Sequence, residues 1–347
     1  MSMVSDPFFS KDAVQVLAHH GKSFHWAGRF LPKNVFSAAA IVYAYCRRLD
    51  DHIDENPATT ISEKKQWLEN EQKHLEKEFL SFQKSDSLPL NSKDLWKREQ
   101  SSLSQQFVAL QSLSSLGLNP CFELMLGMEK DLEDVRMETI PELLEYCYQV
   151  AGTVGLMMCP VLQIENEKAY PFAVDLGISM QLYNICRDIP EDAKMGRIYL
   201  PSELCQRFGM THQDFIPKEQ PDLEKLKSVI QELLSLADQY YESGRQGLVF
   251  IPWYARWGIA VAATVYRGIG DALKSQNLNP YVQRAHTSLG LKVLLTCKAF
   301  FIFIKTLFPR ESENIHHNPS LHHSLRQKPG CRQDGSLSSL DSKRGGI

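Results

Sequence analysis

Tyr43-Ala44-Tyr45-Cys46-Arg47-Arg48-Leu49-Asp50-Asp51-His52-Ile53-Asp54-Glu55 reads as a helix that carries an acidic face beside an arginine. A second such stretch follows far along the chain: Gln181-Leu182-Tyr183-Asn184-Ile185-Cys186-Arg187-Asp188-Ile189-Pro190-Glu191-Asp192. On a helix, Asp50 and Asp54 are one turn apart on a common face, and so are Asn184, Asp188 and Asp192. Arg47 shares the face of Tyr43, Asp50 and Asp54. Two carboxylate faces turned toward each other gather hard divalent cations. Oxygen donors of this kind suit Mg²⁺, which keeps several waters and completes its shell with substrate phosphate. Arg47 and Arg187 add fixed positive charge and bidentate donors for phosphate oxygens. The chemistry suggested is ionisation of a diphosphate leaving group.

Around these stretches the periodicity is helical. Helices are expected at 12–30 and 35–55, punctuated by Pro32, then at 62–82, 94–115, 119–135, 141–164, 168–191, 222–243, 250–276 and 285–308, with a loop over 85–92. Alternating apolar and polar runs are scarce, so a sheet is not expected. The 347 residues, of which 43% are apolar or aromatic, suffice for a substantial core. A net charge of −3 with no basic block argues against nucleic acid as a partner. Eight cysteines without a CxxC pair suggest neither a zinc site nor a disulfide framework. A reducing, cytoplasmic setting follows, since Met1 to His20 lacks an uninterrupted apolar stretch of the signal type.

The segment Leu289 to Pro309 is apolar but interrupted by Lys292, Lys298 and Lys305. Two readings stay open: a core helix that ends at the surface, or a helix resting on the cytoplasmic membrane with its lysines reaching to the interface. Residues 1–309 read as one domain. Residues 310–347, rich in Ser, His, Arg and Gly, read as a disordered tail. Its His316-His317 and His322-His323 pairs are read as solvated, because no rigid element is expected to hold the imidazoles.

Further elements lie in order along the chain. They are His20-Gly21-Lys22-Ser23-Phe24 with Leu31-Pro32, then Gly127-Met128-Glu129-Lys130-Asp131, and Tyr146-Cys147-Tyr148-Gln149-Val150-Ala151-Gly152-Thr153-Val154-Gly155. Gly196-Arg197-Ile198-Tyr199-Leu200-Pro201, Tyr266-Arg267 and Arg284 follow. With the two acidic stretches, they resemble the squalene/phytoene synthase family of head-to-head prenyl transferases. The resemblance runs from about residue 15 to about residue 300. It implies an all-α fold of the isoprenoid-synthase type, a single helical domain around a deep apolar cavity with the acidic motifs at its mouth.

The resemblance also implies roles. Asp50, Asp54, Asn184, Asp188 and Asp192 would hold Mg²⁺, with Mn²⁺ as the alternative ion. Asp51, ~100° round the helix from Asp50, is either a direct ligand or a supporting group. Arg47, Arg187, Arg284, Lys22, Ser23 and His20 would contact diphosphate, with Gln181 and Tyr266 beside them. Intrahelical pairing to Asp50 or Asp51 is the competing reading of Arg47, and capping or core packing that of His20. Tyr146 would face a passing carbocation; its competing reading is a core tyrosine with a paired hydroxyl. Phe24, Gly28, Tyr43 and Val150 would line the substrate channel. Gly152 and Gly155 each cost ~1 kcal/mol inside a helix, which suggests close packing or room for substrate. Gly21 departs from the family's usual serine. Pro190 threatens to kink the helix between Asp188 and Asp192, which makes Asp192 the least secure ligand.

Family members differ in product. Gly28 stands where makers of C30 products tend to carry a bulky residue, so a longer channel for C20 substrates is expected. Two geranylgeranyl diphosphates would then give phytoene, the entry to carotenoids. Squalene or dehydrosqualene from two farnesyl diphosphates is the alternative, with NADPH required only for squalene. Downstream isoprenoid enzymes are a further class of partner. A terpene cyclase is disfavoured by the Tyr146–Gly155 and Gly196–Pro201 elements, and a non-catalytic assembly factor by the intact aspartates.

Overall fold

A computed structural model describes residues 11–54, 59–84, 101–216, 221–307 and 315–331. The loop expected over 85–92, Glu55 and the outer parts of the tail lie outside these residues. Among the described residues the structure is helical, and the only β-type pairing is an isolated parallel bridge between Arg136 and Ile198. The helices are α1 (Lys11–His20), α2 (Lys22–Gly28), α3 (Lys33–Asp54), α4 (Ile61–Lys84), α5 (Leu103–Gln111), α6 (Asn119–Lys130) and α7 (Ile140–Cys147). They continue as α8 (Thr153–Val161), α9 (Tyr170–Lys194), α10 (Ser202–Arg207), α11 (Leu223–Gln246), α12 (Trp253–Ser275) and α13 (Leu289–Leu307).

Two helices expected as continuous are interrupted, and the one expected over 94–115 is described only as Leu103–Gln111, its start lying outside the described residues. The single helix expected over 12–30 breaks at Gly21, whose backbone leaves helical geometry at φ −104° and ψ 49°. A Cβ on Gly21 would come within 2.8 Å of Leu17 and 2.9 Å of the Tyr43 ring. The side chain of a serine has no room there, which accounts for the departure. The helix expected over 141–164 is interrupted by a π-helical turn at Tyr148–Gly152 between α7 and α8. Pro190, by contrast, does not end α9, which runs on to Lys194.

α9 is the axis of the domain, packed against α8, α11 and α12. It approaches α8 closely because glycines face backbone there. A Cβ on Gly155 would lie 2.2 Å from the Ala173 carbonyl oxygen, and one on Gly177 would lie 2.3 Å from that of Ala151. Close packing against backbone therefore explains Gly155, which also lies on the cavity wall. Because the obstacle is backbone, Gly155→Val is expected to destabilise the protein by at least ~3 kcal/mol, read as a lowered denaturation midpoint. An unchanged midpoint would contradict this packing.

Two apolar clusters form the interior. One gathers around α7, α9 and α11, the other around α1, α3, α5, α6 and α12, and Val150 and Ile164 touch both. The cavity described below lies between them. α13 packs on α12 through Leu295 and Ala299, which are buried, and leaves Leu294 and Phe301 two-thirds exposed. No helix among the described residues is long and apolar enough to cross a membrane.

The reading of the tail as disordered is corrected for residues 315–331. A 3₁₀ segment, Pro319–Leu325, packs on the domain, with Leu325, His322 and Cys331 at most 3% exposed. Tyr240 donates to the Leu321 carbonyl at 2.6 Å and Tyr148 to that of Pro329 at 3.0 Å. Lys328 pairs with Glu123 and Glu145 at 3.0 and 3.1 Å. Polar composition hid this, because the apolar and acidic surfaces that receive the segment belong to distant helices.

Candidate functional site

A cavity of about 440 Å³ opens between α2, α3, α8, α9 and α12. Its depth is apolar, with Phe36, Met158, Leu176 and Ile259 among the lining residues, while Tyr43, Arg47, Asp50, Gln181, Asn184 and Tyr266 supply its polar groups. The spacing seen in the sequence explains how: Tyr43, Arg47 and Asp50 descend one face of α3, and Gln181 and Asn184 one face of α9. The wall also contains Phe24, Gly28 and Val150. The Phe24 ring lies tilted 4.7 Å from Tyr266 and edge-on 6.1 Å from Tyr43. Burial pushes the Tyr43 and Tyr266 hydroxyls up to about 12, so both are proton donors at neutral pH.

The acidic groups are crowded. Burial, then the neighbouring Asp54, pushes the Asp50 carboxyl up to about 6. Burial, then Asp188, pushes Asp192 up to about 8. Asp192 thus remains beside Asp188 despite Pro190. Burial would raise Asp188 too, but hydrogen bonds from Arg187 and Arg284 hold it below the ordinary range. Arg284 grips both its oxygens at 2.8 and 2.9 Å, and Arg187 does likewise from the adjacent position. Arg47 reaches Asp50 at 2.9 Å and Asp51 at 2.5 Å, so the intrahelical pairing considered for it is present.

Three residues that carry much of the geometry were quoted in motifs but given no role. Arg197 donates to Asp54 at 2.7 Å and to the Asp131 carbonyl at 3.0 Å, and so ties the first acidic helix to the segment after the second. Asp131 in turn accepts from Tyr146 at 2.9 Å and Tyr199 at 2.8 Å. The signal for Arg197 was its place just after the second acidic helix, next to the Gly196 positive-φ corner.

Tyr146 is a correction. It is 3% exposed, stacked 4.7 Å from Tyr199 with its hydroxyl on Asp131, and it is not on the cavity wall. It positions Asp131 rather than facing substrate. Gly28 lies on the cavity wall against Phe36. The space it leaves is filled, since a Cβ there would meet the Phe36 ring at 2.2 Å. His20 and Lys22 are exposed and Ser23 half-buried, at the edge of the site and off the cavity wall. The Lys22 charge, after burial, depresses the Lys292 ammonium, so two cations share that edge.

A family model described as squalene/phytoene synthase matches residues 17–290. The phytoene synthase of Pseudescherichia vulneris is 31% identical over 298 residues, 85% of this chain and 92% of its own. The 15-cis-phytoene synthase of Synechocystis sp. is 30% identical over 292 residues, 81% of each chain. A solved dehydrosqualene synthase in complex with ligand superposes with a TM-score of 0.64 at 28% identity, covering 85% of this chain and 96% of that one. A squalene synthase from Alicyclobacillus acidocaldarius, 20% identical with a TM-score of 0.64 over 78% of this chain and 94% of its own, shares the fold. With the helical cavity, its acidic mouth and a match over most of the sequence, this chain belongs to the squalene/phytoene synthase family and is a prenyl transferase.

Proposed function

We propose that the protein joins two geranylgeranyl diphosphates head to head to give phytoene, with Mg²⁺ held at the acidic mouth. The carrying observation is a single deep apolar cavity whose polar groups, Arg47, Asp50 and Asn184 among them, come from the two acidic helices. Similarity to proteins named phytoene synthase supports the C40 product. A second reading, two farnesyl diphosphates to a C30 product, is favoured by Phe36, which occupies the room that Gly28 would leave.

The donors fit a divalent cation. The Asn184 side-chain oxygen is buried without a hydrogen-bond partner, and burial, then like-charge neighbours, pushes the Asp50 and Asp192 carboxyls up. Asp50, Asp54, Asn184, Asp188 and Asp192 would hold Mg²⁺, with Mn²⁺ as an alternative, and Asp51, turned to Arg47, would support them. When bound, Mg²⁺ neutralises charge on the departing diphosphate.

The residues of the chain divide the remaining work. Arg187 and Arg284, now engaged with Asp188, offer five donors each to diphosphate oxygens. Arg47, Gln181 and Tyr266 sit where the diphosphate enters the cavity, with Lys22, Ser23 and His20 at its edge. Loss of the first diphosphate leaves an allylic cation. The alkene of the second substrate attacks it and loses a proton to form a cyclopropylcarbinyl diphosphate. Loss of the second diphosphate, rearrangement and loss of another proton give the 1–1′ linked hydrocarbon. The apolar wall excludes water from the cations, and with so few polar groups in the cavity, released diphosphate is the base. NADPH enters only if the product is squalene.

Proton linkage at the mouth gives a direct expectation. Asp192 stands at about 8 against an ordinary 3.8, so the metal-free folded chain binds more protons than the unfolded chain between those values. Its stability therefore falls as pH rises through that window. Cation binding must displace the same protons, so Mg²⁺ should raise the melting temperature more at pH 8 than at pH 6. Equal increments at the two pH values would contradict the assignment of Asp50 and Asp192.

The exposed apolar face of α13, with Lys298 and Lys305 also exposed, suits peripheral contact with an anionic bilayer and delivery of a hydrocarbon product to it. The deciding experiment for product is mass analysis of the hydrocarbon formed with Mg²⁺ from farnesyl or geranylgeranyl diphosphate, with and without NADPH. A C40 hydrocarbon from geranylgeranyl diphosphate alone supports phytoene. A C30 hydrocarbon moves the protein to the squalene or dehydrosqualene type, according to its need for NADPH.

A further inference from the structure

Asp175 lies on α9, thirteen residues before Asp188 and so ~20 Å from it along the helix, off the cavity wall. Its side chain is fully buried. Among the described residues no lysine or arginine pairs with it; its ionic partners are His317 at 2.8 Å and His322 at 2.7 Å, each through Nε2 and each on a different carboxylate oxygen. Ser243 of α11 donates to the same carboxylate. His322 is 2% exposed. Its Nδ1 is buried without a hydrogen-bond partner, so its polar contact runs through Nε2 alone. The three candidate ligand atoms lie within 4.8 Å of one another.

The geometry points to a three-ligand zinc site formed by Asp175, His317 and His322, which fastens the C-terminal segment to α9. The histidines are separated by four residues, within the His-x₃₋₅-His spacing of zinc sites. Two imidazoles and one carboxylate suit zinc better than magnesium, which prefers oxygen. A buried carboxylate flanked by imidazoles needs a countercharge, which a divalent cation supplies in place of the two Nε2 protons. Tetrahedral bonds of ~2.0–2.1 Å place ligand atoms ~3.3 Å apart, inside the 4.8 Å that encloses the three candidate atoms. Water takes the fourth position, and Ser243 orients the carboxylate from outside, as supporting groups do. The ion joins helix α9 to a segment far along the chain, which is the position from which a clip stabilises most.

The test uses the full, untagged chain without substrate, in excess Mg²⁺ so that the acidic mouth is occupied. After addition of Zn²⁺ and gel filtration, metal is counted by mass spectrometry, and Co²⁺ serves as a spectroscopic probe. One zinc per chain and intense tetrahedral Co²⁺ bands are expected, with affinity at least ~10-fold lower in Asp175→Asn and His322→Gln. The double variant His316→Ala/His323→Ala, both exposed, should bind as the wild type does. Trypsin cleavage after Arg326 should quicken when zinc is stripped and Mg²⁺ restored. If Asp175→Asn does not fold, His317→Gln, the most peripheral ligand, carries the comparison. Wild-type protein that retains no more zinc than the ligand variants, or zinc that follows His316 and His323, would overturn the site. Because no turnover is measured, either result is independent of the prenyl-transfer reading.

Discussion

Asp50→Ala is expected to lower kcat by about 10³-fold, as loss of one charge-stabilising group at a leaving group commonly does, while the folded protein loses no stability. The two halves of this expectation have one cause. Asp50 stands at the cavity mouth, where burial and Asp54 push its carboxyl up to about 6. Such crowding is unfavourable in the metal-free protein and useful only when a cation is bound. Removal of the side chain relieves the crowding and removes a ligand together. A merely structural aspartate would show the opposite pattern, with a lowered melting temperature and nearly normal turnover. Diphosphate release and thermal melts on the same preparation separate the two, and full activity would remove Asp50 from the metal set.

Arg197→Met should cost both stability and turnover. Arg197 bridges Asp54 and the Asp131 carbonyl at 2.7 and 3.0 Å, and Asp131 anchors Tyr146 and Tyr199. Removing one partner of a buried pair costs ~3–5 kcal/mol. Asp54 is 34% exposed, so water screens part of that loss and ~2 kcal/mol is the reasonable expectation. Asp54 then loses its fixed position, and kcat/KM should fall by ~10²-fold, with a higher Mg²⁺ requirement. Arg197→Lys should recover part of the stability and part of the turnover, because both contacts run from the single nitrogen Nη2, whose charge and donors an ammonium replaces. If Arg197→Met melts normally, the bridge carries no weight in the fold.

The acidic faces of α3 and α9 were legible because helical spacing alone puts Asp50 with Asp54 and Asn184 with Asp188. The all-helical class was legible for the same reason. Tyr146 took its role from the resemblance, and its other reading, a core tyrosine with a paired hydroxyl, is the one that matches its burial and its bond to Asp131. At Gly28 the sequence marks a missing side chain but not the neighbour, here Phe36, that stands against it. Arg197 and Asp131 sit outside regular helix, where no period points to a partner. His317 and His322 looked solvated because the groups that bury them come from helices more than a hundred residues earlier.

The measurement closest to the central claim counts diphosphate and hydrocarbon together. Purified protein is given geranylgeranyl diphosphate with Mg²⁺, and both products are quantified over time. Release of two diphosphates for each C40 hydrocarbon, abolished by chelation and restored by Mg²⁺, is the expected result. One diphosphate per C20 product would make the protein a cyclase, and release that persists without a divalent cation would contradict the metal-assisted mouth.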